Sequence, residues 1–133
     1  MPDPYTAIQI VMMPRDTNPH GTIFGGVILS YIDMAGATAA RREVALRGGA
    51  PDTKIVTVAL NRVEFKEPVF VGDVVRFETS VLRFGRTSVT MHVNVVAERA
   101  GRTIHVTDAE VVYVGVDEAR RPVPLLPAGP PAG

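Results

Sequence analysis

Residues 23–40 read IFGGVILSYIDMAGATAA, a mostly apolar stretch that decides the fold. Its length and composition predict one long helix, which begins near Gly25 and Gly26 and continues to about Arg47. Two glycines at positions 48 and 49 end it, and the arginines before them suit the negative pole of a helix. Because nearly every side of this helix is apolar, we expect other structure to be wrapped around it.

A single carboxylate lies within the apolar stretch. Between Asp16 and Arg41, the only side chain with a formal charge is Asp33. Burial of an unpaired carboxylate is costly, so the group must be hydrated, protonated or held by a partner from elsewhere. We interpret Asp33 as a candidate reactive group, and the alternative is a half-exposed residue on a hydrated helix edge.

The overall composition excludes several classes of function. The chain has 133 residues, with 14 basic and 14 acidic side chains and no cysteine. This balance gives no reason to expect a nucleic-acid or membrane partner, and disulfides and thiolate metal sites are excluded. Polar and glycine interruptions argue against a membrane span in residues 23–40, and residues 1–5 lack the features of a secretory signal. We therefore expect a soluble, cytoplasmic protein.

The remaining sequence is typical of strands. One strand is predicted over residues 6–13, and four follow the helix over residues 55–65, 74–82, 87–97 and 103–114. Gly85 and Gly101 mark the two hairpins, and a slip in the apolar phase near residues 108–110 suggests a bulge. The order predicts an α+β fold in which a curved antiparallel sheet of about five strands surrounds the central helix. We assign residues 1–119 to this domain and expect the proline-rich residues 120–133 to form a disordered tail.

The start of the helix offers a second chemical feature. Adjacent glycines leave backbone N–H groups uncovered near the positive end of the helix dipole, where they could polarise a carbonyl oxygen. The alternative is that Gly25 and Gly26 only allow the helix to approach the sheet closely. Asp33 lies roughly 10 Å further along the axis than Gly26. One chain can therefore hardly direct both groups at one substrate atom, whereas a second copy could supply the missing half.

Two sequence blocks carry a resemblance to a known family. Residues 13–26 read MPRDTNPHGTIFGG, and residues 32–36 read IDMAG. Together they resemble the hotdog-fold acyl-CoA thioesterases, in particular the broad-range bacterial acyl-CoA hydrolases and their two-domain animal relatives. Further matches are VTVALN at 56–61, FKEP at 65–68, VGDV at 71–74 and FGRTS at 84–88, so the resemblance covers about residues 6–115.

The resemblance implies hydrolysis of acyl-CoA at a site shared by two subunits. Asp33 would be the general base or nucleophile, Asn18 of the neighbouring subunit would position the water or the carbonyl, and an N–H group near Gly26 would polarise the oxygen. It implies a homodimer at minimum, possibly a homohexamer arranged as a trimer of dimers, with no metal or cofactor beyond the coenzyme A of the substrate. The candidate substrate and coenzyme A contacts are Phe24, Gly25, Arg62, Lys66, Arg86, Thr87 and Ser88.

Two alternatives remain open. Asp16 and His20 resemble the acid–base pair of hotdog enoyl-CoA hydratases, although one residue is missing between Pro19 and His20. A non-catalytic acyl-CoA sensor is the other alternative, but a sensor is expected to lose the helix carboxylate and gain a regulatory segment. No ligand spacing joins His92 and His105 into a metal site.

Overall fold

The computed structural model describes residues 4–127, which form one long helix and a five-stranded sheet. The elements are β1 (Tyr5–Val11), a 3₁₀ turn (Pro14–Asp16), α1 (Gly25–Leu46), β2 (Lys54–Asn61), β3 (Val74–Phe84), β4 (Ser88–Arg99) and β5 (Arg102–Val116). The strand order is β1-β3-β4-β5-β2, and every neighbouring pair is antiparallel. The predicted α+β architecture is therefore confirmed. The largest difference in bounds is the earlier end of β2, where Arg62 adopts a left-handed φ of 58° that a strand cannot continue.

The helix lies on the sheet and contacts all five strands. Its buried side is rich in small residues, so the helix approaches the sheet closely; the buried positions are Ile28, Ile32, Ala35, Gly36, Ala39, Ala40 and Val44. The opposite side is open in the single chain, where Met34 is 49% exposed. We expected other structure to cover the helix on all sides, but a single chain leaves one side of it exposed.

Bulges interrupt the regular pairing of the strands. In the β2–β5 pair, Thr57 lies opposite Tyr113 and Ala59 opposite Val112, which leaves Val58 as an extra residue. In the β4–β5 pair the extra residue is Val106, so the bulge predicted near residues 108–110 lies two residues earlier. The Val58 side chain is 56% exposed, as is that of Val56, two residues earlier, at 42%.

The segment after β5 packs on the domain. Val123 donates its N–H to the carbonyl of Gly115 at 2.8 Å, and Leu125 is only 2% exposed. A Cβ at position 115 would overlap the Leu125 side chain, and one at position 49 would overlap the main-chain oxygen of Leu125, so the segment fits because both residues are glycine. The prediction that the chain fails to pack from residue 120 onward is therefore wrong for residues 120–127. Prolines remove donors, but the residues between them still donate hydrogen bonds and bury apolar surface. The rest of the predicted tail, residues 128–133, lies outside the described residues.

We expect Leu125→Ala to lower the free energy of unfolding by about 3 kcal/mol, because it leaves a cavity at a fully packed site. Urea denaturation measures the change. Leu82→Ala is the matched control, since this side chain is 44% exposed, and it should cost far less. Equal effects of the two substitutions would mean that Leu125 is not packed in solution.

An ion pair between the buried Asp73 and the half-buried Arg99 fixes the loop between β2 and β3. Arg99 donates two hydrogen bonds to the carboxylate of Asp73, at 3.0 Å from Nε and 2.7 Å from Nη2, and a third to the carbonyl of Pro68. The N–H of Phe70 also donates to Asp73, and Arg99 lies over the Phe70 ring. Burial alone would raise the pKa of Asp73, but the donors from Arg99 and Phe70 hold it below its usual value.

Asp73→Asn should therefore lower the free energy of unfolding by about 2 kcal/mol at neutral pH. The pKa of Asp73 is lower in the folded than in the unfolded protein. The carboxylate therefore contributes fully to the free energy of unfolding above about pH 5, and this contribution is lost as the pH falls below about 4. Unfolding curves at several pH values should show the difference between wild type and variant narrowing in acid. The exposed Asp52→Asn is the control and should change little at any pH.

Candidate active site

Asp33 lies on the side of α1 that faces β2 and β5. The hydroxyl of Thr57 donates to Asp33 Oδ1 at 2.7 Å. The Tyr113 hydroxyl donates to the main-chain carbonyl of Asp33 at 2.7 Å and lies 3.2 Å from the same Oδ1. Asp33 is half-buried, and no lysine or arginine within residues 4–127 forms an ion pair with it. The carboxylate that the sequence singled out is thus held by two neutral hydroxyl groups.

Tyr113 is completely buried beneath the helix. Burial and the adjacent Asp33 carboxylate raise the pKa of this phenol far above its ordinary value, so it remains a proton donor. A Cβ at position 36 would overlap the Tyr113 hydroxyl, so the hydroxyl fits there because residue 36 is glycine. Sequence reasoning missed both Thr57 and Tyr113. The available signals were Gly36, one turn after the carboxylate, and the threonine in VTVALN.

The first turn of α1 leaves backbone N–H groups without an acceptor. Phe24 occupies the N-cap position and forms no capping hydrogen bond through its side chain. The N–H groups of a first helical turn have no acceptor within the helix, so those of Gly25 and Gly26 are available to a ligand. A Cβ at Gly26 would meet no atom within 4 Å, which leaves this position accessible.

Asn18 lies in the loop before the helix, as predicted, and its side chain organises that loop. Its Oδ1 accepts hydrogen bonds from the N–H groups of His20 and Thr22, at 2.9 and 3.2 Å, and its Nδ2 donates to Thr22 Oγ1 at 2.8 Å. An amide nitrogen carries two hydrogens, so one remains for a ligand. Within the described part of the chain, no hydrogen bond joins Asn18 to Asp33.

A cleft of about 330 Å³ opens beside the helix start. Its volume is within the range of small-molecule sites. The lining residues are Thr22, Ile23, Gly25, Ile28, Phe65, Lys66, Glu67, Pro68 and Val69. The structure thus brings together two of the predicted substrate contacts, Gly25 and Lys66. The Arg99–Asp73 pair holds the same loop, because Arg99 bonds to the carbonyl of Pro68 in the cleft wall.

The other predicted coenzyme A contacts lie elsewhere in the chain. The β3–β4 hairpin contains Arg86, Thr87 and Ser88. The main-chain carbonyl of Thr87 accepts a hydrogen bond from the N–H of Gly115, and that of Arg86 accepts one from the N–H of Leu125. This hairpin is near the end of α1, on the order of 30 Å from the cleft, given the rise of a 22-residue helix. Arg62 is 83% exposed and lies 3.7 Å from Glu110, outside the cleft lining.

The residues of the hydratase alternative have local roles. Asp16 accepts a hydrogen bond from the N–H of Met13 at 3.0 Å, which closes the 3₁₀ turn, and its carbonyl accepts one from Phe24 N–H. His20 is exposed. Neither side chain is directed into the cleft lining.

The described residues 4–127 contain neither a metal-ligand cluster nor a membrane-spanning helix. His92 and His105 both approach Asp108, at 3.8 and 3.3 Å, but no group of three or more His, Asp or Glu side chains in this range could hold a metal ion. In the same range, no helix combines the length and apolarity needed to cross a bilayer.

Comparisons with known proteins show the family to which this chain belongs. Residues 20–104 match the thioesterase superfamily. An uncharacterised acyl-CoA thioester hydrolase of Buchnera aphidicola is 41% identical over 90% of this chain and 87% of its own length. The acyl-CoA thioester hydrolase YciA of Salmonella typhimurium is 35% identical over 89% and 87% of the two chains.

A solved structure extends the likeness to the fold. The hexameric hotdog-fold thioesterase of Campylobacter jejuni is 43% identical, with a TM-score of 0.78 over 90% of this chain and 88% of its own. The chain therefore belongs to the thioesterase superfamily, and within it to the acyl-CoA thioester hydrolases with the hotdog fold.

Proposed function

We propose that this enzyme hydrolyses acyl-CoA thioesters, with Asp33 as the general base or nucleophile. The observation that carries the proposal is the half-buried Asp33 carboxylate, which has hydroxyl donors on Oδ1 and no cationic partner within residues 4–127. A structural carboxylate would be expected to pair with a cation, as Asp73 does with Arg99. The names of the relatives from Buchnera aphidicola and Salmonella typhimurium support the same reaction.

The chemistry needs few groups because a thioester is an activated acyl donor. Asp33 would either remove a proton from the attacking water or attack the carbonyl itself. The N–H group at Gly26 would stabilise the oxyanion, and the remaining amide hydrogen of Asn18 would orient the water or the carbonyl. We propose no further cofactor or metal, and activity that survives dialysis against EDTA would support this.

We propose that two chains share each site. β2 is an edge strand, and its exposed Val56 and Val58 suit contact with a second copy. Antiparallel pairing of two β2 strands reverses one chain relative to the other. The hairpin at Arg86 in one chain would then approach the cleft at Gly25 in its partner. A homodimer is the minimum assembly, and the hexameric Campylobacter jejuni relative supports a trimer of such dimers.

In this arrangement coenzyme A would extend from the Arg86 hairpin of one chain to the cleft at Gly25 of its partner. Arg86, Thr87 and Ser88 would bind its phosphates, and the cleft of the partner would take the thioester end beside Gly25 and Phe24. Lys66 would lie at the mouth of the cleft. Arg62, which is highly exposed and outside the lining, is the weakest of the candidate contacts.

Asp33→Asn should reduce the release of free thiol from acyl-CoAs at least a hundredfold, because the amide can neither accept a proton nor attack. Thiol release from a panel of acyl-CoAs measures this. Asp16→Asn is the matched control and should retain most of the activity. Hydration of crotonyl-CoA without thiol release would instead support the Asp16/His20 alternative. Tight acyl-CoA binding without either reaction would support the sensor.

Mixing two inactive variants tests the shared site. In a dimer of Asn18→Ala with Asp33→Asn, one site carries both substitutions and the other carries neither. Random pairing should therefore restore roughly a quarter of the wild-type activity after joint refolding. Each variant refolded alone should stay inactive. If the mixture regains nothing while still forming oligomers, both residues act within one chain.

A further inference from the structure

We propose that Thr57 and Tyr113 are positioning residues for Asp33: they hold its Oδ1 and its main-chain carbonyl, so that Oδ2 is the oxygen that meets water or the thioester. This proposal rests on the proposed function of Asp33. It assigns a task to two side chains that, like Asp33 itself, lie outside the lining of the cleft in the single chain.

The sheet pairing places both hydroxyl groups beneath the carboxylate. Thr57 and Tyr113 are direct partners in the β2–β5 register, so their side chains share one face of the sheet. Thr57 Oγ1 lies 2.7 Å from Asp33 Oδ1, and the Tyr113 hydroxyl lies 3.2 Å from it. No residue in the range 4–127 donates a hydrogen bond to Oδ2. One oxygen is therefore anchored, and the other is left for the reaction.

The two hydroxyl groups restrain different parts of Asp33. A phenol has one proton, and the shorter contact of 2.7 Å gives its larger share to the main-chain carbonyl. Tyr113 thus fixes the helix backbone at this position, while Thr57 fixes the rotation of the carboxylate. Because the pKa of Tyr113 is raised, the phenol stays a donor throughout the pH range of enzyme assays.

Local features support a built arrangement rather than a chance contact. The register slips immediately after Thr57, where Val58 is the extra residue, and bulges of this kind re-aim side chains beside active sites. Gly36 leaves the space that the Tyr113 hydroxyl occupies. A phenylalanine at position 113 would fill the same core volume without reaching Asp33 through a hydrogen bond.

The test compares Thr57→Val, Thr57→Ser and Tyr113→Phe by steady-state kinetics. We expect kcat to fall about tenfold to a hundredfold in Thr57→Val and Tyr113→Phe, because a loosely held base misses its geometry. KM should change much less than kcat, since the proposed role of both side chains is to hold Asp33 rather than to bind the substrate. Thr57→Ser keeps the hydroxyl group and should recover most of the lost kcat.

Thr79→Val is the matched structural control. Thr79 is buried on β3 and donates to the carbonyl of Tyr5 at 2.8 Å, so its substitution also removes an internal hydrogen bond. We expect a drop in melting temperature comparable to that of Tyr113→Phe, with kcat unchanged. If Tyr113→Phe does not fold, Thr57→Val and Thr57→Ser decide the matter.

The outcomes separate this proposal from the function on which it rests. Full activity in Asp33→Asn would refute the role of Asp33 itself. If Asp33→Asn is inactive while Thr57→Val and Tyr113→Phe keep the wild-type kcat, only the positioning role is refuted. The positioning role would also be refuted if Thr57→Ser lost as much kcat as Thr57→Val, or if the control Thr79→Val lost as much kcat as the two test variants.

Discussion

The close approach of α1 to the sheet is the constraint on which the rest of the structure depends. Small residues on the buried side of the helix, including Ala35, Gly36 and Ala39, let the helix backbone come within reach of a sheet tyrosine. The Tyr113 hydroxyl then bonds directly to the backbone of Asp33. With larger side chains there, the helix would stand further from the sheet, and Asp33 would lose its link to β5.

The elements of the fold could be predicted from the sequence because their signals are local. The apolar stretch at residues 23–40 gave the helix, and alternating polarity gave the strands with ends within a few residues. Asp33 could be identified because it is the only charge in that stretch. Its partners could not, since Thr57 is 24 and Tyr113 is 80 residues away, and only the folded register joins them.

Another error has the same physical origin. The high proline content at the end of the chain predicted disorder, but the glycines that admit Leu125 lie at positions 49 and 115. Composition of one segment cannot reveal a groove made by others. Asn18 lies in the predicted loop, and the folded loop adds what the sequence did not show: its side chain accepts hydrogen bonds from the N–H groups of His20 and Thr22.

The packing of Leu125 has an evolutionary consequence. Positions 49, 115 and 125 form one spatial unit, in which two glycines accommodate one leucine. A larger residue at position 115 would overlap the Leu125 side chain and the carbonyl oxygen of Val123, so it would need at least a smaller residue at position 125. At position 49 the overlap is with the main-chain oxygen of Leu125, which no side chain at 125 can relieve, so glycine should be retained there. Across natural sequences of this family, positions 115 and 125 should therefore change jointly, whereas position 49 should stay glycine wherever the segment packs in this way.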